Sequence, residues 1–265
     1  MKNAWPYLSF LSLKASYSLT ADRGPASVTN SRVVIKATNP WRPVAGDGES
    51  ALYVSDLENA ELTYEKKHEL NIGGAVGLFD NRVNIEADWY KRNNYDLIGP
   101  VTTQGIGGQV TKLGNVASMQ SSGVEFTLST VNINKKNFKW TTDFIYSHAE
   151  NRVTSLENQQ RVIDLVAGTG FALEGYPVRS VFSIPYRGLN SEGIPTFLDQ
   201  SGKVTTTGIY FQERDNIDFL EYSGTADPTD FGSFGNTFSF YGFKVNVFFT
   251  YSFGNVVRMD PVFKS

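Results

Sequence analysis

Cysteine is absent from this 265-residue sequence, and histidine occurs only twice, as His68 and His148. Without cysteine, the chain has no disulfide, no thiolate metal site and no cysteine nucleophile. Two histidines leave little for a zinc centre or for a catalytic triad built on histidine. We assign no catalytic, cofactor-binding or metal-binding residues, and we do not expect the protein to be an enzyme.

Charge is also scarce and nearly balanced. The chain has 24 Lys and Arg against 27 Asp and Glu, and charged residues make up 19% of it, below the roughly 25% usual for soluble domains. Such a chain lacks the basic stripe that binds nucleic acid, so no nucleic-acid partner is expected. No apolar run approaches the ~20 residues of a spanning helix. The residues after Met1 lack the leucine-rich core of a signal peptide.

Aromatic residues are plentiful, at 14% of the chain, and apolar residues recur with a period of two. In residues 82–92 one side carries Val83, Ile85, Ala87 and Trp89, and the other carries Arg82, Asn84, Glu86 and Asp88. Residues 243–253 repeat the pattern with Phe243, Val245, Val247, Phe249, Tyr251 and Phe253. This alternation is typical of β-strands. We count about seven strands, several of them near the ~9–11 residues of a tilted membrane strand.

The connections between these strands alternate in length. Short polar turns are predicted at 79–82, 132–137 and 241–242, and long connections at about 20–66, 95–119 and 150–234. Strict alternation places every long loop at one end of the sheet. Short periplasmic turns opposite long extracellular loops are typical of outer-membrane β-barrels.

The alternation by itself leaves two interpretations open. In a soluble β-sandwich or lipocalin-like barrel, the apolar faces would share a core. In a membrane barrel, they would face lipid and the polar faces would line a wet lumen. The aromatic bulk of 243–253 must be covered by a second sheet or by lipid. Trp and Tyr near the strand ends, including Trp89, Trp140 and Tyr146, favour the membrane interpretation.

Several short motifs carry a family resemblance, in order and at characteristic spacings. They are LTYEK at 62–66, NIG at 71–73, FDNR at 79–82, DWY at 88–90, GNV at 114–116, GVEF at 123–126, FKWT at 138–141 and FGNTF at 234–238. Together they resemble the C-terminal barrel region of SusC/RagA-like TonB-dependent transporters of the Bacteroidetes outer membrane. Ser233 departs from the family pattern, which has glycine at that position.

The resemblance implies an all-β fold, namely about seven strands of a large antiparallel transmembrane barrel that has 22 strands in the family. It implies location in the outer membrane of a Gram-negative, Bacteroidetes-like cell, in contact with membrane lipid. The function implied is import of nutrients, mainly oligosaccharides and in some branches peptides. The implied partners are a SusD-like surface lipoprotein and the TonB–ExbB–ExbD complex, which pulls on a plug domain.

Family members are several times longer than this chain. We therefore expect residues 1–265 to form a partial barrel domain, without the signal peptide, the plug and the remaining strands. The alternative from another class is a secreted, soluble β-sandwich that binds glycans. A β-rich glycoside hydrolase is a weaker alternative, because no credible carboxylate pair is found.

Four groups of residues suggest sites of other kinds. Residues 199–203 resemble part of a calcium loop but have too few carboxylates, so we predict a hairpin turn. Residues 105–108 lack the Gly-Lys-Ser/Thr of a phosphate loop, and we predict an extracellular loop. Glu86 and Asp88, two residues apart on one strand, are expected to face the lumen. His68 and His148 are expected to be solvated.

Aromatic residues in the predicted loops could contact a ligand. They would either stack on sugar rings or pack the loops against one another, and the sequence leaves both roles open. These residues are Trp41, Tyr53, Phe171, Tyr176, Tyr186 and Tyr210. No substrate-binding residue can be assigned from the sequence.

Overall fold

The computed structural model describes residues 7–24, 32–40, 50–105 and 111–259. The chain is built almost entirely of β-strands. In order they are β1 (Leu8–Asp22), β2 (Val34–Thr38), β3 (Ala51–Asp56), β4 (Glu65–Leu78), β5 (Val83–Thr102), β6 (Thr111–Lys135), β7 (Phe138–Leu156), β8 (Ser180–Ser183), β9 (Tyr186–Leu189), β10 (Pro195–Leu198), β11 (Val204–Thr205), β12 (Glu221–Thr225), β13 (Asp230–Phe240) and β14 (Phe243–Phe253).

Seven long strands form one antiparallel sheet in the order β1-β4-β5-β6-β7-β13-β14. This confirms the predicted count and the predicted antiparallel arrangement. The remaining strands lie in two of the long connections. The hairpin β2–β3 lies between β1 and β4, and β8 to β12 lie between β7 and β13.

The short turns lie at one end of this sheet, as predicted. Phe79, Asp80 and Asn81 have φ values of 56°, 55° and 62°, and Tyr241 and Gly242 have 45° and 90°. Two consecutive residues with positive φ match the twist of the flanking strands in a tight hairpin. The turn between β6 and β7 is shorter than the predicted 132–137, because β6 extends to Lys135 and β7 starts at Phe138.

The predicted long loop at 95–119 is wrong in extent. Strand β5 continues to Thr102 and β6 begins at Thr111, so the two strands pair through most of that segment. The pairing shifts register between Asn94 and Leu97, and Asp96 has a φ of 57°. A β-bulge inserts a residue and moves the following side chains to the opposite face. The bulge therefore breaks the alternation from which the strand would have been recognised.

The predicted long connection at 150–234 contains the short helix α1 (Val162–Val166). Its Val162 and Leu165 are fully buried. Among the described residues, no helix is long and apolar enough to cross a membrane. The helix instead helps to form a small core within the long connection between β7 and β13.

Cross-strand pairing joins the apolar positions of all seven strands into one continuous face. Residues that pair directly project from the same side of a sheet. One row on this face consists of Leu11, Val76, Ile85, Leu128, Phe144, Phe234 and Phe249. A row on the opposite face consists of Lys14, Gly73, Asp88, Glu125, Ser147, Phe231 and Ser252. We call these the outward and the inward face.

The strands are staggered in the manner of a tilted barrel wall. Val83 lies at the turn end of β5, and the row of paired residues that starts there reaches β13 at Asn236. Asn236 lies four residues before Phe240, the turn end of β13, so the two turn ends are offset along the strands by about 13 Å. The β4–β5 and β13–β14 hairpins are four strand spacings apart, about 19 Å. The resulting slope of about 35° falls within the ~35–45° tilt of transmembrane barrels.

No second layer of described residues packs on the outward face. Its side chains remain exposed, for example 82% for Leu13, 77% for Phe243 and 61% for Phe249. Val83 and Ile85 are half-buried by their neighbours within the sheet. In a soluble sandwich these residues would form the core, so the arrangement supports the lipid-facing interpretation.

Candidate functional site

The two faces of the seven-stranded sheet differ sharply in charge. On the outward face, every Lys, Arg, Asp and Glu except Lys135 lies at least eight residues from the turn end of its described strand. The outward charges are Lys66, Lys91, Glu150, Arg152 and Asp230 on the loop side and Lys135 at the turn end. The inward face carries Lys14, Asp22, Glu65, Lys67, Glu69, Glu86, Asp88, Arg92, Glu125, Lys139, Asp143 and Lys244. Charges are costly towards lipid and tolerated towards a lumen.

An ion-pair ladder begins on the inward face at Lys14. Its Nζ lies 2.7 Å from Glu86 Oε1 and 3.0 Å from Asp88 Oδ1. Residues 86 and 88 alternate with apolar neighbours on β5, which is why both carboxylates point inward. The Asp88 carboxylate lies across Gly73, where a Cβ would be 2.0 Å from Oδ1. A glycine at position 73 is therefore needed for this ladder to form.

The ladder continues towards the loop end through Glu69. This carboxylate lies 3.1 Å from Lys67 Nζ and 3.1 Å from Arg92 Nε. The guanidinium of Arg92 lies 4.3 Å from the centre of the Tyr90 ring, in a cation–π contact. The Tyr90 ring covers Gly123, where a Cβ would be 2.6 Å from the hydroxyl oxygen. These contacts fix the side chains along the wall.

The ladder carries a surplus carboxylate. Within the described part of the chain, Glu125 forms no ion pair, although it pairs with Asp88 across β5 and β6. The side chains of Lys14, Asn71, Glu86, Tyr90, Arg92 and Glu125 surround a shallow cavity. Such a surface presents hydrogen-bond donors and acceptors of both charges to a hydrated solute.

An apolar patch interrupts the inward face beside the ladder. Ile145, Phe231 and Phe248 are exposed by 42%, 44% and 58%, and all three occupy inward positions of β7, β13 and β14. The Phe248 ring lies over Gly235, where a Cβ would be 2.9 Å from the ring. The sequence analysis missed this patch, although Phe248 visibly breaks the alternation of β14.

The long connection between β7 and β13 is folded on itself. Strand β12 pairs with β8, and Tyr176, Phe182 and Tyr222 form an aromatic cluster with ring centres 5.0–5.6 Å apart. Burial in this cluster raises the pKa of Tyr222. The loop end of the sheet therefore carries a small domain with a packed interior.

A bidentate ion pair starts helix α1 within this small domain. The Arg161 guanidinium donates to Asp164 Oδ2 at 2.9 Å and to Oδ1 at 2.7 Å. The hydrogen bonds from Arg161 hold the pKa of Asp164 below its usual value, although burial opposes the shift. Paired carboxylates of this kind stabilise the folded form only while they are ionised.

The structure shows the predicted hairpin turn at 199–203. The Asp199 carboxylate accepts the backbone N–H groups of Ser201 and Lys203, both at 2.9 Å. Backbone donation from Lys203 is the main reason that the pKa of Asp199 is lowered. Within the described ranges, no group of three or more His, Asp and Glu side chains is arranged to hold a metal ion.

Glu86 and Asp88 point inward, as expected, and both form ion pairs with Lys14.

The two histidines differ from the expectation of simple solvation, because each forms a hydrogen bond with a neighbouring side chain on the outward face. His68 Nδ1 lies 3.0 Å from the Tyr17 hydroxyl, and His148 Nδ1 lies 2.9 Å from Asp230 Oδ1. The sequence did not indicate these partners, since they lie far away along the chain.

The loop aromatics divide into exposed and packed residues. Tyr53, Tyr186, Tyr210 and Phe171 are exposed by 48%, 55%, 61% and 42%, whereas Tyr176 packs in the aromatic cluster. Trp41 and residues 106–108 lie outside the described residues. The structure does not bring the exposed rings together around one cavity.

Comparison with known proteins gives the following relatives. No protein-family model matches the chain. TonB-dependent receptor P3 of Formosa agariphila is 27% identical over 261 residues, which cover 92% of this chain and 26% of that protein. TonB-dependent receptor P39 of the same bacterium is 26% identical over 303 residues, which cover 96% of this chain and 28% of that protein. TonB-dependent receptor SusC of Bacteroides thetaiotaomicron is 29% identical over 102 residues, which cover 37% of this chain and 10% of that protein.

Solved structures show the same fold. The RagAB peptide transporter matches 96% of this chain and 28% of its own, with a TM-score of 0.75 and 24% identity. The RagAB peptide importer in a closed-closed state matches 96% of this chain and 28% of its own, with a TM-score of 0.75 and 25% identity. The chain thus spans about a quarter of the length of the relatives it matches.

These findings confirm three predictions: the fold class, the outer-membrane location and the family resemblance. The seven-stranded sheet corresponds to part of the barrel fold of RagAB, with the short turns at one end of the sheet and the long connections at the other. The chain is similar in sequence to TonB-dependent receptors, SusC among them, and similar in fold to the RagAB transporter.

Proposed function

We propose that this chain is one section of the barrel of a TonB-dependent nutrient importer, and that its inward face lines the path of the solute. The segregation of charge between the two faces carries this proposal. Twelve charged residues face inward along the strands, whereas the outward face has none except Lys135 within the eight residues of each described strand nearest the turns. A wall of this kind separates hydrocarbon from a water-filled lumen.

We propose peptides as the first substrate class. Charges of both signs lie on the inward face near Glu125, and the apolar patch of Ile145, Phe231 and Phe248 lies beside them. Zwitterionic peptides with apolar side chains complement such a surface. The similarity in fold to a peptide transporter supports this choice.

Oligosaccharides are the second substrate class. The exposed rings of Tyr186 and Tyr210 at the loop end favour it, because aromatic faces stack on sugar rings. We further propose that a SusD-like lipoprotein covers the loop end, and that TonB–ExbB–ExbD energises opening through a plug domain. Under this proposal residues 1–265 are a partial barrel domain, in keeping with their share of the relatives' length.

Uptake by cells tests the proposal. The bacterium that carries this gene would be compared with its deletion strain for uptake of fluorescent oligopeptides and fluorescent oligosaccharides. We expect uptake of one class to need the gene and to stop when a protonophore collapses the proton gradient. Uptake that is equal in both strains for every peptide and oligosaccharide would overturn the proposal.

A further inference from the structure

Four lysines surround two neighbouring hairpin turns at the periplasmic end of the sheet. Lys135, Lys136, Lys139 and Lys244 line one shallow cavity, together with Phe138, Phe240, Tyr241 and Phe243. We call these four residues the turn-end lysine cluster. Two turns, β6–β7 and β13–β14, bring them together from positions more than 100 residues apart in the chain.

The positive charge of this cluster is not balanced locally. Within the described part of the chain, none of the four lysines forms an ion pair. The next carboxylate along the inward face, Asp143, lies four residues beyond Lys139, about 13 Å along the strand. It already accepts a hydrogen bond of 2.7 Å from Ser129 Oγ.

Strand pairing places these lysines on both faces of the sheet at its turn end. Lys135 pairs with Phe138 on the outward face, whereas Lys139 and Lys244 both pair with Ser239 on the inward face. Lys139 and Lys244 are thus two strands apart, about 10 Å. An anion between Lys139 and Lys244 would lie about 5 Å from each strand, within the about 8 Å over which charges interact in physiological salt.

Exposed aromatic rings adjoin the outward side of the cluster. Phe240, Tyr241 and Phe243 are exposed by 53%, 67% and 77%, and the Phe240 ring lies 6.5 Å from Phe138 and 4.6 Å from Tyr241. They form the turn-side end of the outward apolar band. A ligand that contacts both the rings and the lysines must have an apolar part and an anionic part.

We propose that the turn-end lysine cluster is a binding site for an anionic phospholipid of the periplasmic leaflet. The phosphate would lie beside Lys135 and Lys136, and the acyl chains would lie along Phe138, Phe240 and Phe243. Basic residues beside a membrane attract anionic headgroups by about 1 kcal/mol each. A soluble anion would gain nothing from the exposed rings.

The inference rests on the proposed function in one respect, namely that the outward band faces lipid. The complete outer-membrane protein that contains this chain would be reconstituted in vesicles of one part phosphatidylglycerol to four parts phosphatidylethanolamine. After gentle detergent extraction, mass spectrometry of the intact protein would count the lipids that remain bound. We expect phosphatidylglycerol to be enriched severalfold over its share of the vesicle.

Three variants make the test specific. Lys135→Gln with Lys136→Gln should lower the enrichment severalfold, to about the share of phosphatidylglycerol in the vesicle. Lys139→Gln with Lys244→Gln, on the inward side, should lower it less. Lys36→Gln with Lys203→Gln removes the same charge from exposed positions at the other end of the molecule and should leave the enrichment unchanged.

Failure of this inference differs from failure of the proposed function. Normal insertion without enrichment, or equal enrichment in all variants, would overturn the lipid site while leaving the membrane assignment intact. A larger loss from the inward pair than from Lys135 and Lys136 would also overturn it and would indicate a ligand in the lumen. A protein that does not enter vesicles at all would overturn the proposed function.

Discussion

Replacing Val247 by arginine tests the orientation of the sheet most directly. Val247 is outward-facing, 41% exposed and the fifth residue of β14. It therefore lies about 13 Å along the strand from the turn end at Phe243. With the tilt of about 35°, this corresponds to about 11 Å of depth in an apolar band ~25 Å tall. The substitution would place a guanidinium close to the bilayer midplane.

The expected cost follows from this depth. An arginine near the midplane of a barrel's lipid face costs about 2–4 kcal/mol, and near an interface about 0–1 kcal/mol. Val247→Arg should therefore lower the folding equilibrium constant in lipid vesicles roughly 30-fold to 700-fold. Urea titration of the complete protein in phospholipid vesicles, followed by tryptophan fluorescence, measures this change.

The adjacent residue supplies the control. Asn246 points inward, and its amide donates to Thr237 Oγ1 at 2.9 Å. Asn246→Arg adds the same side chain one residue away and forfeits one exposed hydrogen bond, at a cost of about 1 kcal/mol. Equal destabilisation by Val247→Arg and Asn246→Arg would refute the assignment of the faces. Val247→Leu should be nearly neutral and separates charge from bulk.

Three further changes test the wall and the loop domain. Gly123→Ala would place a Cβ 2.5 Å from the backbone oxygen of His148, so we expect a lower urea midpoint, by an amount equivalent to about 1–3 kcal/mol. Lys14→Gln leaves its two carboxylate partners unpaired and should lower the urea midpoint only slightly, because the pair is half-exposed; the same titration measures it. The lowered pKa of Asp164 stabilises α1 above the carboxyl's unfolded pKa, and this contribution is lost as pH falls through the lower, folded value. Hydrogen exchange of α1 relative to β6 should therefore increase in acid.

Each of these changes has a matched control. Gly74→Ala meets only a flexible side-chain carbon of Leu13 and a carbonyl oxygen at 3.2–3.3 Å, and should cost less than Gly123→Ala. Lys203→Gln removes an exposed charge that forms no described ion pair, and should be neutral. Asp164→Asn should abolish the acid-dependent increase in exchange of α1. If α1 of Asp164→Asn still exchanged faster in acid, the role of the Asp164 carboxylate would be contradicted. Equal destabilisation by Gly123→Ala and Gly74→Ala would contradict the close contact at Gly123, and equal destabilisation by Lys14→Gln and Lys203→Gln would contradict the role of the Lys14 ion pair.

The strands could be predicted from the sequence because apolar and polar residues alternate wherever a strand is regular. In β5 and β14 the apolar positions predicted for one face all lie on the outward face of the sheet. The prediction failed at the bulge around Asp96, where one extra residue reverses the alternation. Local pattern therefore located the strands and their turns but underestimated their length at the loop end.

The candidate site was less predictable than the fold. The sequence identified Glu86 and Asp88 as inward-facing, but their partner Lys14 lies 72 residues from Glu86 along the chain. The turn-end lysine cluster likewise joins residues from two separate hairpins. Such groupings depend on register, which is determined by pairing across the whole sheet.

The period of two, the tight turns and the division of each strand into an apolar and a polar face depend on neighbouring residues, and they could be predicted from the amino-acid sequence. The strand order, the stagger that tilts the wall and the partners of Lys14 and Glu69 became known only from the folded chain. They could not be predicted because backbone hydrogen bonds between strands are alike at every register. Pairing is selected only when all seven strands place their apolar side chains on one side together.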